Sequence, residues 1–331
     1  MQITTRSANS RQRGPFQTIS APAAAARPAF SAGDRARLIA VTFLWALCYP
    51  LIATGLAAAP PLAFAALRSL IAGAGLLTVA AVLRRPLPRD ANTWLALLGA
   101  GLSATGLGFT GMFLAGGAVS PGLATVIANA QPLIAAGLAY FVLAERLGPR
   151  RRMGLALGFA GIILVALPGF GSNANSTPLG VAYVLLGALG VAVGNVLLKR
   201  LAGQVDLWMA TGWQFVLGSV PLSLAAQIFE SPVQITWAPT FVAVLLVLSL
   251  LGTALAFGLW FSLLHRGELT RLNTFTFLTP AFALLLGAVF FGERMSLVEG
   301  AGMALILAGV WWISRRTDVA REAASVRGVP H

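Results

Sequence analysis

The sequence is poor in the residues from which most chemical sites are built. It has one cysteine, Cys48, and two histidines, His265 and His331. A single cysteine forms no intramolecular disulfide, and this set is too small for an ordinary zinc site, so no metal is expected. Lysine occurs once, at Lys199, and lacks the preceding glycines of a phosphate-binding loop, which argues against an ATP-driven pump. A His-Glu-x-x-His helix is absent, and so are the buried acids of an intramembrane aspartyl enzyme. The chain is therefore not expected to be an enzyme or to carry a cofactor.

Charge is also scarce. Only 10% of the 331 residues are charged, against about a quarter in a soluble domain. In their place stand 57% hydrophobic residues and 36 glycines, with a mean hydropathy of +0.82. Folded in water, such a chain would expose too much apolar surface. The composition is that of an all-α membrane protein crossing the bilayer many times.

A helix needs roughly 20 apolar residues to cross the hydrocarbon core. Runs and breakers predict ten spans, near 37–57, 62–83, 94–116, 120–143, 152–168, 178–198, 207–228, 239–264, 271–291 and 297–313. Residues 1–36 share an Arg- and Ser-rich composition with organelle transit peptides, but read as a disordered basic cytoplasmic tail; residues 315–331 form a second tail. With the N-terminus inside, all but two of the 23 Lys and Arg residues fall on the cytoplasmic side, the exceptions being Arg294 outside and Arg68 within a span. Positively charged loops are retained inside, so both termini are expected in the cytoplasm. The same distribution accounts for the net charge of +13 without a nucleic-acid partner.

The chain repeats itself at an offset of 148 residues. Pro132, Glu145-Arg146, Gly154 and Gly161 match Pro280, Glu293-Arg294, Gly302 and Gly309, and Phe113 matches Phe261. Five crossings per repeat is an odd number, so the second half (178–313) enters the membrane from the side opposite to the first (37–168). Arg294 then lies outside because it belongs to the repeat. Two inverted bundles that rock about a midplane site are a recurrent transporter architecture, and the repeat is the strongest functional signal in the sequence.

Two five-helix halves, each with a proline followed thirteen residues later by Glu-Arg and then a Gly-rich helix, resemble the EamA-type transporters of the drug/metabolite transporter superfamily. The resemblance covers roughly residues 38–315. It implies a bacterial inner-membrane exporter of amino acids and other metabolites, aromatic amino acids among them. It also implies a central cavity lined by helices 1, 3, 4, 6, 8 and 9, with helices 5 and 10 peripheral.

Arg68 is the one ionisable side chain well inside a span, about two turns from the outer end of helix 2. Burial of an arginine at a helix centre costs roughly 2.5–3.5 kcal/mol on insertion scales. Its partner is a backbone carbonyl, the Gln214 that aligns with it in the second half, or a substrate carboxylate; in the plainer reading it snorkels or ties helices together. Helix 4 presents Thr125, Asn129 and Pro132 on one face, and helix 9 presents Asn273, Thr276, Phe277 and Pro280. Proline bends a spanning helix where protein or a cavity covers the freed carbonyl, so Pro132 and Pro280 are candidate gates. Interhelical hydrogen bonding is the alternative role for these polar groups.

Trp45 and Tyr49 on helix 1, Phe109 and Phe113 on helix 3, and Phe257 and Trp260 on helix 8 could stack on a substrate or simply pack. Asn195 in helix 6 is equally a helix tie or a pocket contact, and Gly154-x-x-x-Gly158 reads as helix packing. The expected function is export of amino acids, preferably aromatic or large and apolar, by facilitated diffusion. Substrate and bilayer are the expected partners. The alternatives are a proton-coupled exporter of purines or drugs, and a non-transporting sensor or scaffold.

Overall fold

The computed structural model describes residues 32–131, 134, 149–167, 177–201, 204–264, 278–292 and 294–314. Apart from the connecting turns and loops these are helical, with no strand among the described residues. The elements are α1 (Ala32–Ala46), α2 (Cys48–Gly55), α3 (Pro61–Val82), α4 (Ala91–Ala100), α5 (Gly108–Ala115), α6 (Pro121–Ala128), α7 (Pro149–Ala166) and α8 (Pro178–Arg200). They continue as α9 (Leu207–Phe229), α10 (Pro239–Leu246), α11 (Ala256–Leu264), α12 (Leu278–Phe291) and α13 (Leu297–Ser314). Two π-helical segments, π1 (Gly101–Leu107) and π2 (Val247–Leu255), join α4 to α5 and α10 to α11.

Among the described residues, six helices are long and apolar enough to span a membrane: Ala32–Gly55, Pro61–Val82, Ala91–Ala115, Pro178–Leu198, Leu207–Phe229 and Pro239–Trp260. The first begins at Ala32, inside the segment read from sequence as a tail. Asp34 in its first turn pairs with Arg37 at 3.3 Å and favours the helix N-terminus, which charge composition alone did not reveal. That helix breaks at Leu47. Pro50 lacks an N–H and its ring clashes with the carbonyl of Ala46 one turn earlier, so α1 and α2 meet at a bend. In α6 the regular helix stops at Ala128, one turn before Pro132; Pro132 itself lies outside the described residues.

The packing pairs come in exchanged sets. α3 lies on α9, α6 on α12, and α7 on α13. The contact of π1 and α5 with α8 has its counterpart in the contact of π2 and α11 with α1. Likewise α9 meets π1 where α3 meets π2. Both ends of the α3–α9 pair are clamped. At one end Asp206 caps α9, accepting from Trp208 N at 2.9 Å, and meets Arg85 at 3.6 Å. At the other, the Glu230 carboxylate accepts from Leu62 N at 2.7 Å and Ala63 N at 2.9 Å, the orphan donors of α3.

Glycine lets α7 and α13 touch backbone to backbone. A Cβ at Gly161 would lie 2.5 Å from Gly302 O, and one at Gly309 would lie 2.6 Å from Gly154 O and 2.7 Å from Gly158 N. The Gly154-x-x-x-Gly158 motif thus serves helix packing. Gly161→Val is expected to lower the melting temperature of the detergent-purified protein by several degrees, since overpacking costs about 1–3 kcal/mol. Gly117→Ala, where a Cβ meets nothing within 4 Å, should leave it unchanged. Differential scanning fluorimetry of both variants checks this.

Candidate functional site

Arg68 sits on the buried face of α3 and is 3% exposed. Its guanidinium is held by neutral acceptors from three other elements. Nε and Nη2 donate to Thr253 Oγ1 at 3.4 and 3.2 Å, Nη2 to Cys48 Sγ at 3.4 Å, and Nη1 to Met112 Sδ at 3.3 Å. Its carbon lies 4.5 Å from the Phe109 ring centroid and 5.7 Å from that of Phe113, within cation–π range. Neither ion pair among the described residues includes Arg68. Of the partners considered from sequence, Gln214 is not one: its Nε2 donates to Thr105 Oγ1 at 3.2 Å instead.

The helices reach Arg68 through local irregularities. In a regular helix a threonine hydroxyl bonds the carbonyl three or four residues back, as Thr42, Thr78 and Thr110 do here. Thr253 Oγ1 instead donates to Leu248 O, five residues back, at 3.0 Å. The wide π turn re-aims this side chain and leaves its oxygen facing the guanidinium. Cys48 follows the bend at Leu47, and its thiol faces Leu44 O at 3.6 Å and Gly252 O at 3.9 Å while accepting from Arg68.

A chain of rings passes the guanidinium. Trp260 lies 5.3 Å from Trp45, Trp45 6.1 Å from Phe257, and Phe257 5.7 Å from Phe215. Phe215 lies 5.7 Å from Phe109, Phe109 6.0 Å from Phe113, and Phe113 5.0 Å from Phe64. Of the site residues expected from sequence, Trp45, Arg68, Phe113, Phe257 and Trp260 are thus joined through these rings. Tyr49 is buried one residue beyond Cys48. Asn129 is half-buried at the end of α6 and donates to Thr125 O at 2.8 Å. Asn195 lies on the exposed face of α8, apart from the cluster, and Pro280 is buried in the first described turn of α12. Asn273 and Phe277, like Pro132, lie outside the described residues. The cluster is closed in this state, with Arg68 and Tyr49 almost wholly buried and Phe113 at 0% exposure.

Sequence reasoning missed Cys48, Met112 and Thr253 as partners of Arg68. The available signal was the repeat itself, since Thr105 and Thr253 are 148 residues apart, as are Leu102 and Leu250.

The pattern of the EamA-like transporter family matches twice, over residues 37–167 and 178–315. The chain belongs to this family. It is 35% identical over 287 residues to a WAT1-related chloroplastic protein of Arabidopsis thaliana, covering 84% of this chain and 68% of that one. It is 31% identical over 286 residues to the uncharacterized transporter YvbV of Bacillus subtilis, covering 86% and 92%. A probable amino-acid metabolite efflux pump of Salmonella typhimurium is 29% identical over 280 residues, covering 82% and 91%. A protein crystal structure with 21% identity has the same fold, with a TM-score of 0.58 over 87% of this chain and 100% of that one. This EamA-type chain is a multi-pass membrane transporter rather than an enzyme.

Cys48 is the sole cysteine and is 4% exposed, which makes it a clean reporter of the cluster. Alkylation by a membrane-permeant maleimide should be slow in the wild type. Thr253→Ala, which strips Arg68 of an acceptor, should speed it roughly tenfold, as expected for loss of a buried hydrogen bond. Equal rates in the two proteins, followed by mass spectrometry, would refute the described packing.

Proposed function

We propose that this EamA-type protein is an inner-membrane exporter of small metabolites, with amino acids as cargo and aromatic or large apolar ones preferred. Ten helices form two inverted halves, residues 37–168 and 178–313, with both termini in the cytoplasm. The twofold match to the family and the exchanged packing pairs support this organisation. So do the loops expected on the outer side: Thr236 N donates to Ala58 O at 2.8 Å, and Thr177 N to Ala118 O at 2.9 Å.

One observation carries the substrate reading. Arg68 is a buried cation whose described partners are all neutral. A guanidinium prefers a carboxylate, which it binds through two parallel hydrogen bonds. An amino acid supplies that carboxylate, and its apolar side chain meets the rings around Trp45, Phe113 and Phe257. Thr253 is then the acceptor the carboxylate displaces, so the empty carrier stays closed without trapping an unbonded charge. Binding requires the cluster to open. The joints at Leu47, π1, π2 and the end of α6 are where the helices around it can bend, with Pro132 and Pro280 as gates. Transport follows the metabolite gradient by facilitated diffusion.

Counterflow in proteoliposomes containing only this protein tests the reading. Labelled phenylalanine outside should accumulate against unlabelled phenylalanine inside, above empty liposomes, with threonine and adenine giving less. Arg68→Gln should weaken competition by phenylalanine about tenfold or more, in line with loss of a charge-assisted hydrogen bond, and competition by phenethylamine much less. Equal losses for acid and amine would remove the carboxylate contact from the reading.

A further inference from the structure

A second site, sharing no residue with the Arg68 cluster, lies where α6 and α13 begin and α12 finishes. A partly open cavity of about 240 Å³ there has Leu123, Leu284, Ala288, Ser120, Glu299 and Arg294 among its lining residues. It is smaller than the roughly 300–1,000 Å³ of pockets that take drug-sized ligands. Most of its wall is apolar, yet two of its lining residues carry a side-chain oxygen buried without a hydrogen-bond partner among the described residues: Glu299 Oε1 and Ser120 Oγ.

Each is left over for an identifiable reason. Glu299 closes a capping box at the start of α13. Its Oε2 accepts from Ser296 N and Ser296 Oγ, both at 2.9 Å, while Glu299 N donates to Ser296 Oγ at 3.2 Å. One carboxylate oxygen does the capping and the other is buried without a partner among the described residues, on a cavity-lining residue that is 1% exposed. Ser120 precedes Pro121, the first residue of α6, and makes no capping bond with its hydroxyl. A serine in that position ordinarily accepts from the helix's first amides.

We propose that this cavity is a binding site for a small primary ammonium carrying a short apolar group, the amino end of an apolar amino acid included. An ammonium has three donors and no acceptor. Glu299 Oε1 supplies charge and one acceptor, Ser120 Oγ a second, and Leu123, Leu284 and Ala288 cover the apolar substituent. Arg294 lies at the exposed rim, where the carboxylate of an amino acid would emerge. The site selects for the ammonium, whereas the Arg68 cluster selects for the carboxylate. Its place on the outer face, where exported cargo leaves, rests on the orientation proposed above; the binding itself does not.

Glu299→Gln is the informative variant. Glutamine serves equally at this position of a capping box, so α13 keeps its start while the charge is lost. The purified full-length protein is titrated calorimetrically with isoamylamine, which has the ammonium alone, and with 4-methylpentanoate, which has the carboxylate alone. Isoamylamine should bind the wild type and Arg68→Gln equally, and Glu299→Gln about tenfold or more weakly, with its melting temperature unchanged. Ser120→Ala should weaken it less. Isoamylamine that fails to bind the wild type, or that binds Glu299→Gln as tightly, overturns the site. Binding of 4-methylpentanoate that depends on Arg68 but not on Glu299 reports on the central cluster separately, so one reading can fail while the other stands.

Discussion

A guanidinium buried in an apolar bundle constrains almost everything around it. Arg68 is far from water and has neutral partners, so each of its nitrogens must be met by a dipole or a polarizable atom. The helices comply by departing from regularity. Helix α1 breaks so that Cys48 can turn its thiol inward, and π2 widens so that Thr253 can accept from Arg68 while donating to Leu248 O. Phe109 and Phe113 offer their faces to the charge. None of these features is favoured by local helix energetics alone, and π turns recur where function competes with regular geometry.

The irregular helices and the regular ones do different mechanical work. The uninterrupted α3 and α9 are clamped at both ends by Arg85, Asp206 and Glu230, and α7 and α13 are locked through glycine backbones. The interrupted elements, α1–α2, π1, π2 and the end of α6, lie between these pairs. Rigid pairs beside jointed helices are what a bundle needs if the site is to open without the scaffold coming apart. Under the proposed inverted arrangement the clamped pairs lie on the pseudo-twofold axis, where relative motion of the two halves is smallest.

Much of this was legible in the sequence, and the remainder was hidden for physical reasons. Arg68 stood out because an ionisable residue in a long apolar run is costly and rare. The rings around it were partly legible because Trp45 sits too deep in its span for the interfacial belt that tryptophans usually form. Its partners were not legible. A π turn depends on tertiary packing rather than on a sequence period, and Met112 and Cys48 look like ordinary core residues until a cation points at them. Asn195 was ambiguous because an isolated amide in a nearly uniform apolar helix has no face that the pattern can assign. Nothing in the sequence pattern singled out Glu299, whose burial depends on the packing of α13 against α6 and α7.

The two halves answer the same geometric question with different chemistry. In one, Arg68 on α3 donates to Thr253 on π2; in the other, Gln214 on α9 donates to Thr105 on π1. The two acceptors occupy equivalent positions, 148 residues apart, and both donors lie buried on helices that pack against each other. A neutral amide is therefore sufficient to fasten this kind of helix to this kind of π turn. Such interhelical bonds contribute only about 0.6 kcal/mol on average, whereas a central arginine costs roughly 2.5–3.5 kcal/mol to insert. Holding helices together does not explain the charge, because the fold achieves the same contact without it on the other side. The guanidinium is an expense confined to one half, and an anionic group arriving with the cargo is what would offset it. In a carrier built from two similar halves, a single charge of this kind also breaks the symmetry of the site. Under the proposed reading the carboxylate has one orientation to adopt, and the apolar part of the cargo is turned toward the rings of α1, α5 and α11.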